Sequence, residues 1–581
     1  MSEQESTAPV SESSDRRRMF VGFGILAGVI LVIVLAVVIL LFVDPFRWDL
    51  LGTAGRDAAA EAMPTDVVLY LHLDMDRLGD ENLEAVVRAL SPEPLEEGTT
   101  FLDQTLEQVD EWLGEEMNIT YSEDIQPWIG NDAGLGVVDL MAGVIGGSAE
   151  EGILLALEVD DESAADVFLD QTIAEFEESG GTVEEEIYEE QTIYFIENEM
   201  TSDVAICRSG DLMLIGETVT SIQNGIDAQN GDSLADLEGY RDAIGGLPGS
   251  EILTIYMDMV KYQESMEPLL SMAYGPGMSD LMSESTGVAA SVGVGISAVD
   301  VGVKIDYTIV ADPEKMTELP EGYFNTNPQI PSMAPEDTIL YLASGFDAEN
   351  IEQTRKTMLE MLGGQGADAE EALAMFTTAF GFDPIDDLLG SLDGEFDFLL
   401  VPSSSGVLAE SLDIPLGFAI LAETNKPQKL LDVADNFSAA MERQGIGEAE
   451  VSEQEFGTIY DLVNMFNGDS ILTYGVSDDR LMIGSSLDIL ADLFDGGPSL
   501  ADSDSYQDIW KEFPKNMAPV VYVDIEGLIG QLREVMEPWE REDFDEEAGE
   551  VLAAMKFFAA AAAPMKGNIG RATFILFVET E

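Results

Sequence analysis

The residues of this chain with the types to do chemistry are acids at element junctions, an acid-rich loop, and a lone histidine and cysteine. Tyr256-Met257-Asp258 and Tyr522-Val523-Asp524 end apolar runs that precede helical patterns, and Tyr70 with Asp74 resembles them. Such a carboxylate could serve as a general base. An Asp where a strand meets a helix is first of all an N-cap, accepting N–H bonds worth about 0.5–2 kcal/mol, and capping is the expectation here. Asp74-Met75-Asp76-Arg77-Leu78-Gly79-Asp80 resembles a calcium loop. The EF-hand pattern wants an oxygen ligand at the fifth position and Glu at the twelfth. Counted from Asp74, those places hold Leu78 and Ala85, so only a loose calcium site could be built from these acids.

Other chemistries lack their residues. One histidine, His72, and one cysteine, Cys207, cannot fill a histidine-based triad or a tetrahedral zinc site. A single cysteine forms no intrachain disulfide. Cys207 closes the strand-like run Val204-Ala205-Ile206-Cys207, which predicts a buried, inert thiol. No phosphate loop of the Gly-x-x-x-x-Gly-Lys-[Ser/Thr] kind occurs, and Gly293-Val294-Gly295 lies inside an alternating strand rather than a strand-to-helix turn. Glycoside hydrolysis needs two carboxyls about 5–10 Å apart, but among 114 acids some pair meets that by accident. No catalytic, cofactor-binding or metal-binding residue is assigned, and no cofactor is expected.

Three further features read as structure. Met257, Met259, Met266, Met272, Met278 and Met282 cluster around Gly275-Pro276-Gly277 and are expected to fill core, although methionines can also form adaptable binding surfaces. Met536 to Glu550 sets Trp539 and Phe544 among acids and reads as a solvated loop or helix. Asn118-Ile119-Thr120 and Asn436-Phe437-Ser438 are glycosylation sequons of low specificity.

Charge narrows the partners. With 114 Asp plus Glu against 25 Lys plus Arg, the formal charge is −89, which excludes nucleic acid because phosphate binding needs clustered cations. The acids are spread along the chain, as in a solvated surface suited to high salt, rather than set in ligand spacing.

The elements that must position these residues occur twice. Asp211-Leu212-Met213-Leu214-Ile215-Gly216 returns as Asp479-Arg480-Leu481-Met482-Ile483-Gly484. Leu234-Ala235-Asp236, Tyr240 and Tyr256-Met257-Asp258 return as Leu500-Ala501-Asp502, Tyr506 and Tyr522-Val523-Asp524. The shift stays within two residues of 268 throughout, which marks a tandem duplication. Each copy opens on a Pro-led turn into an apolar strand, at Pro64 and Pro335. Helical patterns follow at Phe101 to Leu113 and at Ile351 to Phe380, then strands at Gly134 to Leu140 and at Glu395 to Val401. The apolar runs Gly152 to Glu158 and Gly417 to Glu423 lead into helices on Ala165, Phe168, Leu169, Ile173 and Phe176, and on Leu430, Leu431, Val433, Ala434 and Phe437. Strands at Gln191 to Tyr194 and Gly457 to Tyr460 precede the repeated motif, which should enter helices at Thr218 to Ile226 and Leu487 to Phe494. Val288 to Val310 and Ala572 to Val578 close the two copies. This order predicts an α+β fold, with mainly antiparallel sheets and helices packed on one face.

Residues 1–18 are polar and end in Arg16-Arg17-Arg18; Met19 to Val43 then runs 25 residues without a charge. That is long enough to span a bilayer and too long for a cleaved signal core of about 7–15 residues. The arginines place the N-terminus in the cytoplasm, with Trp48 at the outer interface. The expected organisation is a cytoplasmic tail (1–18), a transmembrane signal-anchor helix (19–43), a tether (44–62), a first α+β repeat (63–312), a Pro-rich linker (313–333) and a second repeat (334–581).

The Pro-x-Asp-[Thr/Val]-x-x-Tyr openings at Pro64 and Pro335, the internal duplication and the single N-terminal anchor resemble the bacterial domain-of-unknown-function family 3352, over roughly residues 60–581. The resemblance implies the architecture and carries no site. The expected function is that of a non-enzymatic, single-pass membrane protein whose acidic extracytoplasmic domain binds or scaffolds an unknown protein or envelope partner. The alternative is an extracytoplasmic hydrolase using carboxylates, with or without calcium.

Overall fold

The computed structural model describes residues 57–91, 99–107, 110, 120–138, 152–178, 182–197, 204–274, 289–313, 328–346, 369–406, 408–409, 414–464, 470–547 and 549–580. The expected transmembrane helix at 19–43 lies outside them, and among the described residues no helix is long and apolar enough to cross a membrane.

Ten strands of the first repeat are described: β1 (Leu69–Asp74), β2 (Ile129–Val137), β3 (Ile153–Val159), β4 (Thr182–Tyr188), β5 (Gln191–Glu197), β6 (Val204–Ser209), β7 (Leu212–Gly216), β8 (Leu253–Asp258), β9 (Ala289–Val299) and β10 (Gly302–Ala311). Their order in the sheet is β4-β5-β6-β7-β3-β2-β1-β8-β9-β10, every pairing antiparallel. The second repeat contributes β11 (Leu340–Phe346), β12 (Gly394–Pro402), β13 (Leu416–Glu423), β14 (Gly447–Gln454), β15 (Gly457–Asn464), β16 (Ser470–Val476), β17 (Arg480–Gly484), β18 (Ala518–Asp524), β19 (Met555–Lys566) and β20 (Ile569–Val578). Their order is the same, β14-β15-β16-β17-β13-β12-β11-β18-β19-β20.

Where the duplication predicts a sheet in each half, the described residues form one sheet of 20 strands. Each repeat alone would leave its last strand with a row of unpaired N–H and C=O groups. Pairing β10 with β20 satisfies both rows at once. Tyr307 and Phe574 occupy equivalent places in their hairpins, so Asp306 pairs with its own counterpart, Thr573. The molecule is a pseudo-dimer within one chain, with its approximate two-fold axis at that pair. Thr573 Oγ1 donates to Asp306 Oδ1 at 2.6 Å, and Lys304 Nζ lies 2.8 Å from Asp306 Oδ2.

Helices cover both faces, a correction to the single covered face expected from the sequence. In β19, Ala559 and Ala561 face one core while Ala560 and Ala562 face another. On the first face pack Val219–Asn230 and Glu238–Ile244, and in the second repeat Leu487–Asp492 and Asp504–Lys511. On the other lie Glu162–Glu178, Pro427–Gln444 and the run from Ile525 to Ala554. Continuous apolar strands such as β3 and β13 demand this, because both of their faces must leave water.

Most expected elements are present. Residues 101–107 are helical, as is Ala369–Phe380, while the rest of those two expected helical regions falls largely outside the described residues. The repeated motif is β7 and β17, each entering a helix capped by Thr218 or Ser486. The acidic stretch after Met536 is two short helices, with Trp539 exposed and Phe544 buried under the Arg533 guanidinium, 5.6 Å from its ring. Gly293 and Gly295 lie within β9. A Cβ at Gly293 would sit 2.6 Å from the Ala243 carbonyl oxygen, so the strand passes the helix there only as glycine.

A fully buried turn opens each repeat. Ala59, Ala60, Ala62 and Met63 are inaccessible in the first, and Ile330 in the second. These two straps lie over the tyrosine strands, and they frame the candidate site.

Candidate functional site: a duplicated tyrosine and carboxyl cluster

The six tyrosines that mark the repeat converge into two buried triads. β1 and β8 place Tyr70 opposite Tyr256, and β11 and β18 place Tyr341 opposite Tyr522. The third member, Tyr240 or Tyr506, comes from the helix above. Ring centroids are 6.0 Å (Tyr70–Tyr240) and 5.1 Å (Tyr240–Tyr256) apart in the first triad, and 5.6–6.3 Å in the second. These are aromatic packing distances, favourable beyond area burial by about 0.5–1.5 kcal/mol per pair.

The hydroxyls find different partners. In the first repeat Tyr70 and Tyr240 both donate to the strap carboxylate of Asp57, at 2.8 and 2.7 Å. In the second, Tyr341 and Tyr506 pair with each other at 3.1 Å. Burial pushes all four phenols well above their ordinary pKa, and in the first repeat the Asp57 charge adds to it. They are neutral hydrogen-bond donors at any physiological pH.

Carboxyl groups sit beside each triad at equivalent register. Glu158 on β3 accepts from the backbone N–H groups of Asn131 and Asp132 at 2.9 and 3.2 Å, and Glu423 on β13 accepts from Glu395 N at 2.9 Å. Asp132 and Glu395 are counterparts on β2 and β12. His72 Nε2 lies 3.2 Å from Asp132 Oδ1. Burial disfavours its charge, but the hydrogen bond to Asp132 and the fields of Asp57, Asp132 and Asp74 outweigh that and raise its pKa. In the second repeat Ala343 stands where His72 does, and Asp397 occupies the place of Gly134 opposite it. Asp397 is buried, and its carboxyl is pushed up to about 9 by desolvation and by the neighbouring Glu395 carboxyl. Arg480 is the nearest cation, 3.5 Å from Glu423 Oε1.

The residues singled out by sequence fall in varied places. Asp258 Oδ1 accepts from Val260 N and Lys261 N, and Asp524 Oδ1 from Gly527 N, which is capping. Asp74 instead pairs with Arg77 at 2.9 Å, while Asp80 caps Glu81–Leu90; among the described residues no group of three or more ligands could hold a metal ion. Cys207 is buried and its thiol pushed up to about 11. Met259 packs in core, Asn436 lies on the helix Pro427–Gln444, and Asn118, Met278 and Met282 are outside the described residues. His72 and Asp397 were assigned no role from sequence. Their surroundings are assembled by strand register, which brings Asp132 to His72 across 60 positions and Arg480 to Asp397 across 83, and no local spacing announces them.

Two concavities are lined by residues outside these tyrosine and carboxyl clusters. One, of about 260 Å³, is lined by Asp337, Asp488 and Asp492 with Ser403, Ser404 and Ser405, and burial with nearby Asp495, Asp488 and Asp337 raises the Asp492 pKa. The other, of about 350 Å³, is a groove between Glu81–Leu90 and the β8–β9–β10 surface. It is walled by Leu83, Val86, Val87 and Leu90 against Leu253, Ile296, Ala298 and Val303.

Together these features define an internally duplicated α+β protein, built as one pseudo-symmetric antiparallel sheet around paired tyrosine and carboxyl clusters. The chain belongs to the family described as protein of unknown function (DUF3352), whose model matches residues 24–578. No curated protein matches it. Among solved structures, "Structure of crystal form I of TP0453" is similar over 44% of this chain and 80% of that one, at 8% identity and a TM-score of 0.23, too low to carry anything further.

Proposed function

We propose that this is a single-pass membrane protein whose acidic extracytoplasmic domain binds or scaffolds a partner at the cell envelope and performs no catalysis. The observation that carries it is the uncharged run Met19 to Val43 directly after Arg16-Arg17-Arg18. Only residues 44–56 separate that run from Asp57, whose carboxylate receives the Tyr70 and Tyr240 hydroxyls. At about 3.5 Å per residue, the domain would stay within about 50 Å of the bilayer. The aliphatic groove beneath Glu81–Leu90 is the kind of surface a binding module offers.

A carboxylate hydrolase is the second reading, favoured by the Asp337, Asp488 and Asp492 cavity. It ranks second because, among the described residues, the most strongly raised carboxyl, Asp397, is buried in core and does not line that cavity. Intact cells treated with protease test the first reading. The domain should be degraded while an N-terminal tag is protected, and deleting 19–43 should release the chain from membranes. Protection of the domain would overturn the topology. Crosslinking in the same cells would show an envelope partner, and turnover abolished by Asp492→Asn would establish the hydrolase instead.

A further inference from the structure

The two straps are held down by carboxyl chemistry, and the second repeat does so under electrostatic conflict. Glu395 Oε1 accepts from the backbone of the second strap, Gln329 N at 2.8 Å and Ile330 N at 3.3 Å. Two residues along the same strand and on the same face is Asp397, with one carboxyl oxygen that has no hydrogen-bond partner. The groups facing Asp397 are Glu395 on its own strand, Glu423 on β13, Arg480 on β17, and the Tyr341 hydroxyl on β11 with Tyr506 behind it. Three carboxyls thus share one guanidinium, and Arg480 already leans on Glu423 and on Met333 Sδ, at 3.2 Å, in the strap itself. Carboxylates sharing a buried site cannot all ionise.

We propose that Asp397 is a proton-operated latch on the second strap. Protonated, it hydrogen-bonds Glu395 and leaves that carboxylate in place to hold Gln329 and Ile330. When it loses its proton to solvent, two like charges stand on one strand face without a second cation, Glu395 is driven off, and the strap amides open. The first repeat supports this by comparison. At the matching place it carries His72 beside Asp132, under a strap whose own Asp57 receives the tyrosine hydroxyls. Each repeat thus sets beneath its strap a titratable group whose protonated form its surroundings favour, an imidazole in one and a carboxyl in the other. An acid with a raised folded-state pKa stabilises the fold most at low pH, and that stabilisation falls as pH climbs to the raised value, here about 9.

Pulse-labelled hydrogen exchange on the full chain tests the latch, with rates corrected for intrinsic base catalysis. Protection of the Gln329 and Ile330 amides should fall at least about tenfold between about pH 7 and pH 10. It should stay constant in Asp397→Asn, while amides of β3 stay protected in both proteins. The infrared band of a protonated carboxyl should be present at neutral pH and missing from Asp397→Asn. Glu395→Gln, which keeps an acceptor oxygen but removes the like charge, should also hold the strap at high pH, and it serves if Asp397→Asn does not fold. Equal loss of protection in wild type and both variants, or no such band in the wild type, overturns the proposal.

Discussion

His72, the one imidazole in the chain, shows how a residue acquires a role from its neighbours. Burial alone would lower its pKa, yet Asp132 at 3.2 Å and the Asp57 and Asp74 charges raise it. A raised folded-state pKa means that His72 contributes stability fully below its ordinary pKa of about 6.5, and loses it as pH rises through the higher folded value. The urea midpoint of the wild type should therefore decline through this range, with a slope from this group of at most about 1.4 kcal/mol per pH unit. His72→Gln should flatten that decline; an unchanged profile would show the imidazole to be bystanding. The sequence offered His72 only as a lone histidine, because Asp132 reaches it through strand register.

At the scale of elements, legibility followed pattern strength. Apolar runs such as β3 and β13, and the periodic helices after them, stood out because burial requires apolar side chains at fixed intervals. The edge strands β4 and β14 did not. Thr182-Val183-Glu184-Glu185-Glu186-Ile187-Tyr188 carries three glutamates in seven residues because an edge faces water, and their charges discourage another strand from adding there. Its turn was hidden too. Glu189 and Glu190 adopt φ of 47° and 67°, a left-handed pair ordinarily given to Asn-Gly. Left-handed backbone costs a non-glycine residue about 1–2 kcal/mol, so Glu189→Asn with Glu190→Gly should raise stability by about 1–2 kcal/mol in chemical denaturation. A loss of stability would mean that the two glutamates make compensating contacts. β19 was missed for the opposite reason: its run Ala559 to Ala563 suits a helix, and only a sheet interior covered on both faces makes alanine the right size for a strand.

The whole molecule combines a shared core with a large charge imbalance. One sheet runs through both repeats, and its central pairing sets Asp306, Thr573, Lys304 and the half-buried Arg571 at the pseudo-two-fold axis. A slip of register would part the Asp306 carboxylate from the hydroxyl facing it, so this pairing fixes how the halves meet. Around that core, a charge of −89 repels itself over distances that salt shortens, from a Debye length of about 10 Å at 0.1 M to about 3 Å at 1 M. Thermal midpoints should rise by about 5 °C or more over that range. An unchanged midpoint would mean that the acids are neutralised locally rather than by bulk ions.

Composition, periodicity and the repeated motif determined by themselves that this protein is a duplicated α+β chain, rich in acids, with an uncharged apolar run at 19–43. Those properties depend on local spacing and on counts, which a linear chain displays directly. Only the tertiary structure decided that the two copies share one sheet, that six tyrosines separated by up to 186 positions within each repeat close into two triads, and that the titratable group near each strap is His72 in one copy and Asp397 in the other. Edge satisfaction and charge burial act through space, and the chain reveals them only once strand register has brought its distant segments together.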